Sequence, residues 1–180
     1  MGTGLAKTVA LVGMMGAGKT AVGKALALKL GVPFLDSDAE IEKAANSSVA
    51  EIFSKYGEPF FRDKETRVIS RLLDTERAVL STGGGAFLSE ENRRLIAEKG
   101  VAVWLKADTD ILWSRVRHKN TRPLLRTDNP YQTLCDLVAA RTPDYAKAGI
   151  IVEAEPELSI DGMADKVIEA LDAYGGILGD

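Results

Sequence analysis

Eight residues constrain this chain more than any others. Gly13-Met14-Met15-Gly16-Ala17-Gly18-Lys19-Thr20 keeps the spacing G-x-x-x-x-G-K-[ST], after an apolar run at 8–12 and before a helical pattern at 19–30. In that context the glycines let backbone N–H groups converge on phosphate oxygens, aided by the positive end of the following helix. Lys19 is then placed to reach the β- and γ-phosphates, and the Thr20 hydroxyl to ligate Mg²⁺. The expectation is a nucleotide-binding α/β fold.

The rest of the chain carries the same alternation. Strand-length apolar runs recur at 33–35, 78–81, 101–105 and 149–152. Helical periodicity covers 38–45, 49–55, 59–73, 90–98, 108–116, 131–140 and 162–173. Ser89 is placed as an N-cap, and Gly31 and Gly100 stand where helices should stop. Alternating strands and helices predict a mainly parallel sheet with helices on both faces, a three-layer sandwich. Two regions exceed the plain repeat: 38–73, expected to bind the substrate, and about 117–130, polar, basic and proline-punctuated, expected to be a lid.

Composition narrows the class. A chain of 180 residues suits one domain, 1–180, and a net charge of −3 offers no electrostatic basis for nucleic-acid or membrane binding. One cysteine and one histidine preclude an internal disulfide and a multi-histidine metal site. The apolar run at 8–12 is broken at once by Gly13, so it is structure rather than a secretory signal. An N-K-x-D guanine-reading run is absent, which argues against a GTPase. A small cytoplasmic kinase that closes over a phosphoryl acceptor remains.

The acceptor side is written in carboxylates, glycines and arginines. Asp36-Ser37-Asp38 stands at the carboxyl end of the second strand, where ligands bind in open α/β sheets. Asp36 suits the metal shell and Asp38 suits orienting the attacking hydroxyl, although either could simply cap the next helix. Gly83-Gly84-Gly85 closes the third strand and lets backbone approach a ligand. Ser81 stands where many P-loop proteins carry an aspartate. Arg62 and Arg141 supply guanidinium forks for a carboxylate, and Arg122 is placed as a lid cation facing the γ-phosphoryl group. Trp104 and Trp113 are expected to pack, and the Met14 and Met15 side chains to be unconstrained.

Taken in order, GMMGAGKT (13–20), DSD followed by Glu40-Ile41-Glu42, GEPFFR (57–62), STGGG (81–85), RPLL (122–125) and RTPDY (141–145) resemble the shikimate kinases over residues 7–173. The resemblance implies a nucleoside-monophosphate-kinase-like fold with a five-stranded parallel sheet. It also implies γ-phosphate transfer from ATP, with Mg²⁺, to the 3-hydroxyl of shikimate. It places Asp38, Arg62, Arg141, Gly83, Gly84 and Gly85 on shikimate, with Phe53 and Phe61 lining the ring pocket. By the same likeness Asp36 and Ser81 reach Mg²⁺ through water, Arg115 packs near the adenine, and Glu65 supports the arginines. Lys19, Asp38 and Arg122 are the catalytic set. A monomer is expected, and the lack of a plastid transit peptide favours a bacterial form. Ala21 departs from the family's usual second hydroxyl after Thr20. A gluconate-type kinase, or an ATP-binding domain without turnover, remains an alternative.

Overall fold

The structure is a computed structural model that describes residues 4–117 and 127–179. Five strands form one sheet in the order β2-β3-β1-β4-β5, every pair parallel. Strand β1 (Thr8–Val12) lies centrally and is buried along its whole length. Its Val9 aligns with Val79 of β3 (Val79–Ser81) on one side and Val101 of β4 (Gly100–Lys106) on the other. Branched and aliphatic side chains suit a strand covered on both faces. Strand β2 (Phe34–Asp36) forms one edge and β5 (Ile150–Glu153) the other.

Helix α1 (Lys19–Leu30) packs on α8 (Ile160–Tyr174), while α4 (Glu58–Thr75) packs on α5 (Glu90–Lys99). The two pairs flank the sheet. Between β2 and β3 run α2 (Ser37–Ala45), α3 (Val49–Tyr56) and α4. They enclose an apolar cluster of their own, in which Ile41, Ile52, Phe61, Val68 and Leu72 meet Leu80 of β3. A serine capping box, Ser48 with Glu51, starts α3. The acceptor-side helices are thus packed as a unit on the sheet edge that carries Asp36.

Most expected elements stand within one or two residues of their predicted places, and the differences have physical causes. The second strand runs one residue later than 33–35, because Asp36 pairs in register with Ser81. Helix α6 (Thr109–Val116) and Ser89 as an N-cap stand as expected. Gly31 ends α1 in the left-handed region, whereas Gly100 is extended and begins β4. Helix α7 (Pro130–Tyr145) continues well beyond residue 140 despite Pro143. Pro143 offers no N–H to the carbonyl one turn back, at Ala139, and the helix runs on past that single missing bond. His118, Arg122 and RPLL (122–125) lie outside the described residues, as does most of the expected lid.

Candidate active site

The phosphate loop joins β1 to α1. Gly16 and Gly18 adopt φ of 83° and 95°, a region that favours glycine, and a Cβ on Gly16 would lie 2.8 Å from Val116 Cγ1. Lys19 donates from Nζ to the carbonyls of Gly13 (2.6 Å) and Met14 (3.1 Å). Arg115 of α6 reaches back over the loop, its Nη1 donating to the Gly16 carbonyl at 2.9 Å. Met14 departs from the expectation of an unconstrained side chain: it is buried in the main core, with its sulfur 3.9 Å from the Tyr145 hydroxyl.

A cavity of about 550 Å³ opens in front of this loop, lined by Gly16, Gly18, Lys19 and Thr20 on one side and by Asp36, Asp38, Ser81, Gly83 and Gly84 on the other. Parallel topology makes this convergence, because β1, β2 and β3 all end at the same edge. Asp36 Oδ1 accepts from the Ala39 N–H at 3.1 Å, so this carboxylate caps α2 while it lines the cavity. In the first turn of that helix, Asp38 Oδ1 is buried and has no hydrogen-bond partner among the described residues. Burial pushes the Asp38 carboxyl above its ordinary range. Asp36 and, more weakly, Glu42 push the same way, while Lys19 and Arg62 pull it down.

The three glycines gather the acceptor-side groups. A Cβ on Gly83 would stand 2.8 Å from Asp38 Oδ1, one on Gly84 3.1 Å from Arg141 Nη1, and one on Gly85 2.8 Å from Arg62 Cζ. Side chains from α2, α7 and α4 therefore each press against one glycine. Arg62 also donates to Glu65 Oε1 at 3.0 Å, while Glu65 Oε2 is buried and unpartnered among the described residues. Burial raises the Glu65 pKa against the pull of Arg62. Phe53 and Phe61 stack obliquely at 4.7 Å, and the Arg62 guanidinium lies 5.2 Å from the Phe61 ring. Trp104 packs on Tyr145, and Trp113 meets Tyr131 edge-on.

Two residues escaped the sequence reading. Ser37 is fully buried and its Oγ accepts from the Gly83 N–H at 3.3 Å. Tyr145 is buried and donates to the Gly84 carbonyl at 2.6 Å. Only membership of the DSD and RTPDY motifs pointed to them.

Among the described residues no cluster of three or more His, Cys, Asp or Glu side chains could hold a metal alone. Mg²⁺ characteristically takes one or two protein oxygens and completes its shell with waters and phosphates. Thr20, Asp36 and Ser81 offer such oxygens along one cavity, so the donor set fits. No helix among the described residues is long and apolar enough to cross a membrane.

Nucleotide loop and acceptor groups share one edge of a parallel sheet, which places the protein among the P-loop small-molecule kinases. A family model described as shikimate kinase matches residues 15–172. A shikimate kinase of Ruegeria pomeroyi is 65% identical over 93% of this chain and 86% of its own length. One from Cereibacter sphaeroides is 64% identical over 93% and 83%. Among solved structures, the shikimate kinase from Acinetobacter baumannii in complex with shikimate superposes with a TM-score of 0.84 at 39% identity, covering 91% of each chain. The chain belongs to the shikimate kinase family.

Proposed function

We propose that this protein transfers the γ-phosphate of ATP to the 3-hydroxyl of shikimate, yielding ADP and shikimate 3-phosphate on the route to chorismate and the aromatic amino acids. The observation that carries this reading is Asp38: a buried carboxylate oxygen without a partner, in a cavity shared with the phosphate loop and beside the glycine that leads to Arg141 and Arg62. An acceptor hydroxyl supplies the donor that this oxygen lacks. The raised pKa makes Asp38 a stronger base toward that hydroxyl's proton as the new O–P bond forms and the bond to ADP breaks.

Arg62 and Arg141 grip the acceptor carboxylate, with Glu65 bracing Arg62. Phe53 and Phe61 give the ring an apolar wall, and the Gly83–Gly85 backbone closes its other side. Lys19 turns from the loop carbonyls to the β- and γ-phosphates, while Gly13, Met14, Met15, Gly16, Ala17 and Gly18 present backbone to the phosphate chain. Arg115 flanks the nucleotide, and the family likeness assigns the charge of the transferring group to Arg122 of the expected lid at about 117–130. Thr20 directly, and Asp36 and Ser81 through water, would hold Mg²⁺, which when bound offsets phosphate charge. Residues 38–73 form the acceptor region of one domain. The working state is a monomer, and the single cysteine and net charge of −3 suit the cytoplasm without nucleic-acid or membrane partners.

The test is ADP release from Mg-ATP with shikimate and gluconate as rival acceptors. Shikimate-dependent turnover is expected. Turnover with gluconate alone, or none with shikimate while ATP still binds, overturns the reading.

A further inference from the structure

A run of three glycines is a poor platform for binding anything. Neither Gly84 nor Gly85 has a Cβ to restrict its backbone, so the peptide group between them can rotate at little steric cost. Its carbonyl belongs to Gly84 and its N–H to Gly85, and a trans peptide points the two in opposite directions. Among the described residues the Gly85 N–H has no hydrogen-bond partner, whereas the loop's three carbonyls are all engaged. The Gly83 and Gly85 carbonyls accept from Ala86 and Leu88 within the loop and the short helical turn that follows. The Gly84 carbonyl is held from outside, by the Tyr145 hydroxyl at 2.6 Å.

Tyr145 is well fixed for that task. Its ring is buried to within 1% of full exclusion and lies 5.8 Å from Trp104, with Met14 against its hydroxyl. A phenol has one proton to give, and the distances assign it to the carbonyl rather than to sulfur. On α7 it stands one turn after Arg141, so both project from one helix face toward Gly84. Burial raises the Tyr145 pKa, which keeps the donor protonated at neutral pH.

We propose that Tyr145 is a positioning residue: by holding the Gly84 carbonyl toward α7 it locks the Gly84–Gly85 peptide so that the Gly85 N–H is presented to the acceptor on the side of Arg62, which stands against Gly85. Donation to the carbonyl also polarises that peptide, strengthening its N–H as a donor. The inference rests on the acceptor reading given above. Ser37, bound to the Gly83 N–H, anchors the Thr82–Gly83 peptide from α2 at the start of the run.

Tyr145→Phe removes one oxygen and keeps the ring. The expected result is a rise of about tenfold in KM for shikimate, as a buried carbonyl loses its partner, with KM for ATP within about twofold. In the ligand-free protein, the Gly85 amide signal in a ¹H–¹⁵N spectrum should broaden or shift while signals from α8 stay in place. A shikimate KM and a Gly85 amide both unchanged would overturn the proposal. So would a fall in kcat and thermal stability with neither KM altered, the mark of a merely structural tyrosine. Wild-type protein inactive on shikimate would instead refute the acceptor reading. The ligand-free amide signal would still show whether Tyr145 sets the peptide.

Discussion

Gly83→Ala is the sharpest probe of the site, because it adds one carbon at a known place. The new Cβ would lie 2.8 Å from Asp38 Oδ1 and 3.1 Å from Oδ2, against 3.4 Å or more in ordinary contact. The carboxylate must retreat by about 0.6 Å to restore van der Waals separation. Gly83 is not among the glycines with positive φ, so alanine fits its backbone without strain. At such a site the replacement adds about 0.4–1 kcal/mol by restricting the unfolded chain. A displacement of this size at a group that must meet a reacting hydroxyl costs about tenfold to a hundredfold in rate. Coupled ADP-release kinetics should therefore show kcat down by that factor and KM for ATP within about twofold. The melting temperature should stay within about 4 °C of wild type, since about 1 kcal/mol moves a domain of this size by about 2–4 °C. Wild-type kcat in a folded variant would refute the argument that Asp38 is held at the reacting hydroxyl by this contact.

Asp38→Asn should lower kcat by about 10²–10⁴ while nucleotide titration shows ATP affinity intact. Since burial raises the folded-state pKa, this group's stabilising contribution is full below the ordinary carboxylate range and is lost as pH rises through the raised value. At neutral pH the variant should melt no lower than wild type, with any advantage shrinking on acidification; a lower melting temperature at neutral pH would contradict this. Arg62→Ala should raise KM for shikimate and also strand Glu65, which is 1% exposed, at a cost of about 1–3 kcal/mol. Thermal melts should show that loss easing toward acid pH, where Glu65 is protonated; an unchanged KM would remove Arg62 from the acceptor site.

The sheet, the phosphate loop and the helix after it were legible because local rules agree there: apolar β-formers, then glycines in a defined spacing, then a helical period. What stayed hidden depended on distant partners. The sequence suggested that Gly83–Gly85 leaves room for a ligand, and the structure shows that room already shared with Asp38, Arg141 and Arg62 from three separate helices. Asp36 seemed to face a choice between capping α2 and lining the cavity, and it does both. The periodicity of α7 fades near Ala140 because Arg141, Thr142, Pro143 and Asp144 offer no apolar residue before Tyr145 returns to the core. The helix therefore seemed to stop before Arg141 and Tyr145. Met14 sits at a variable position of the motif, and its burial in a core shared with Tyr145 of α7 has no local signal.

The glycine loop also bears on how such a site could evade an inhibitor. Any single-base missense change in a glycine codon installs a side chain, and at these three positions its first carbon would press on Asp38, Arg141 or Arg62. An inhibitor that presses on this backbone, rather than on the arginines, would meet a surface where any substitution also displaces one of those three side chains.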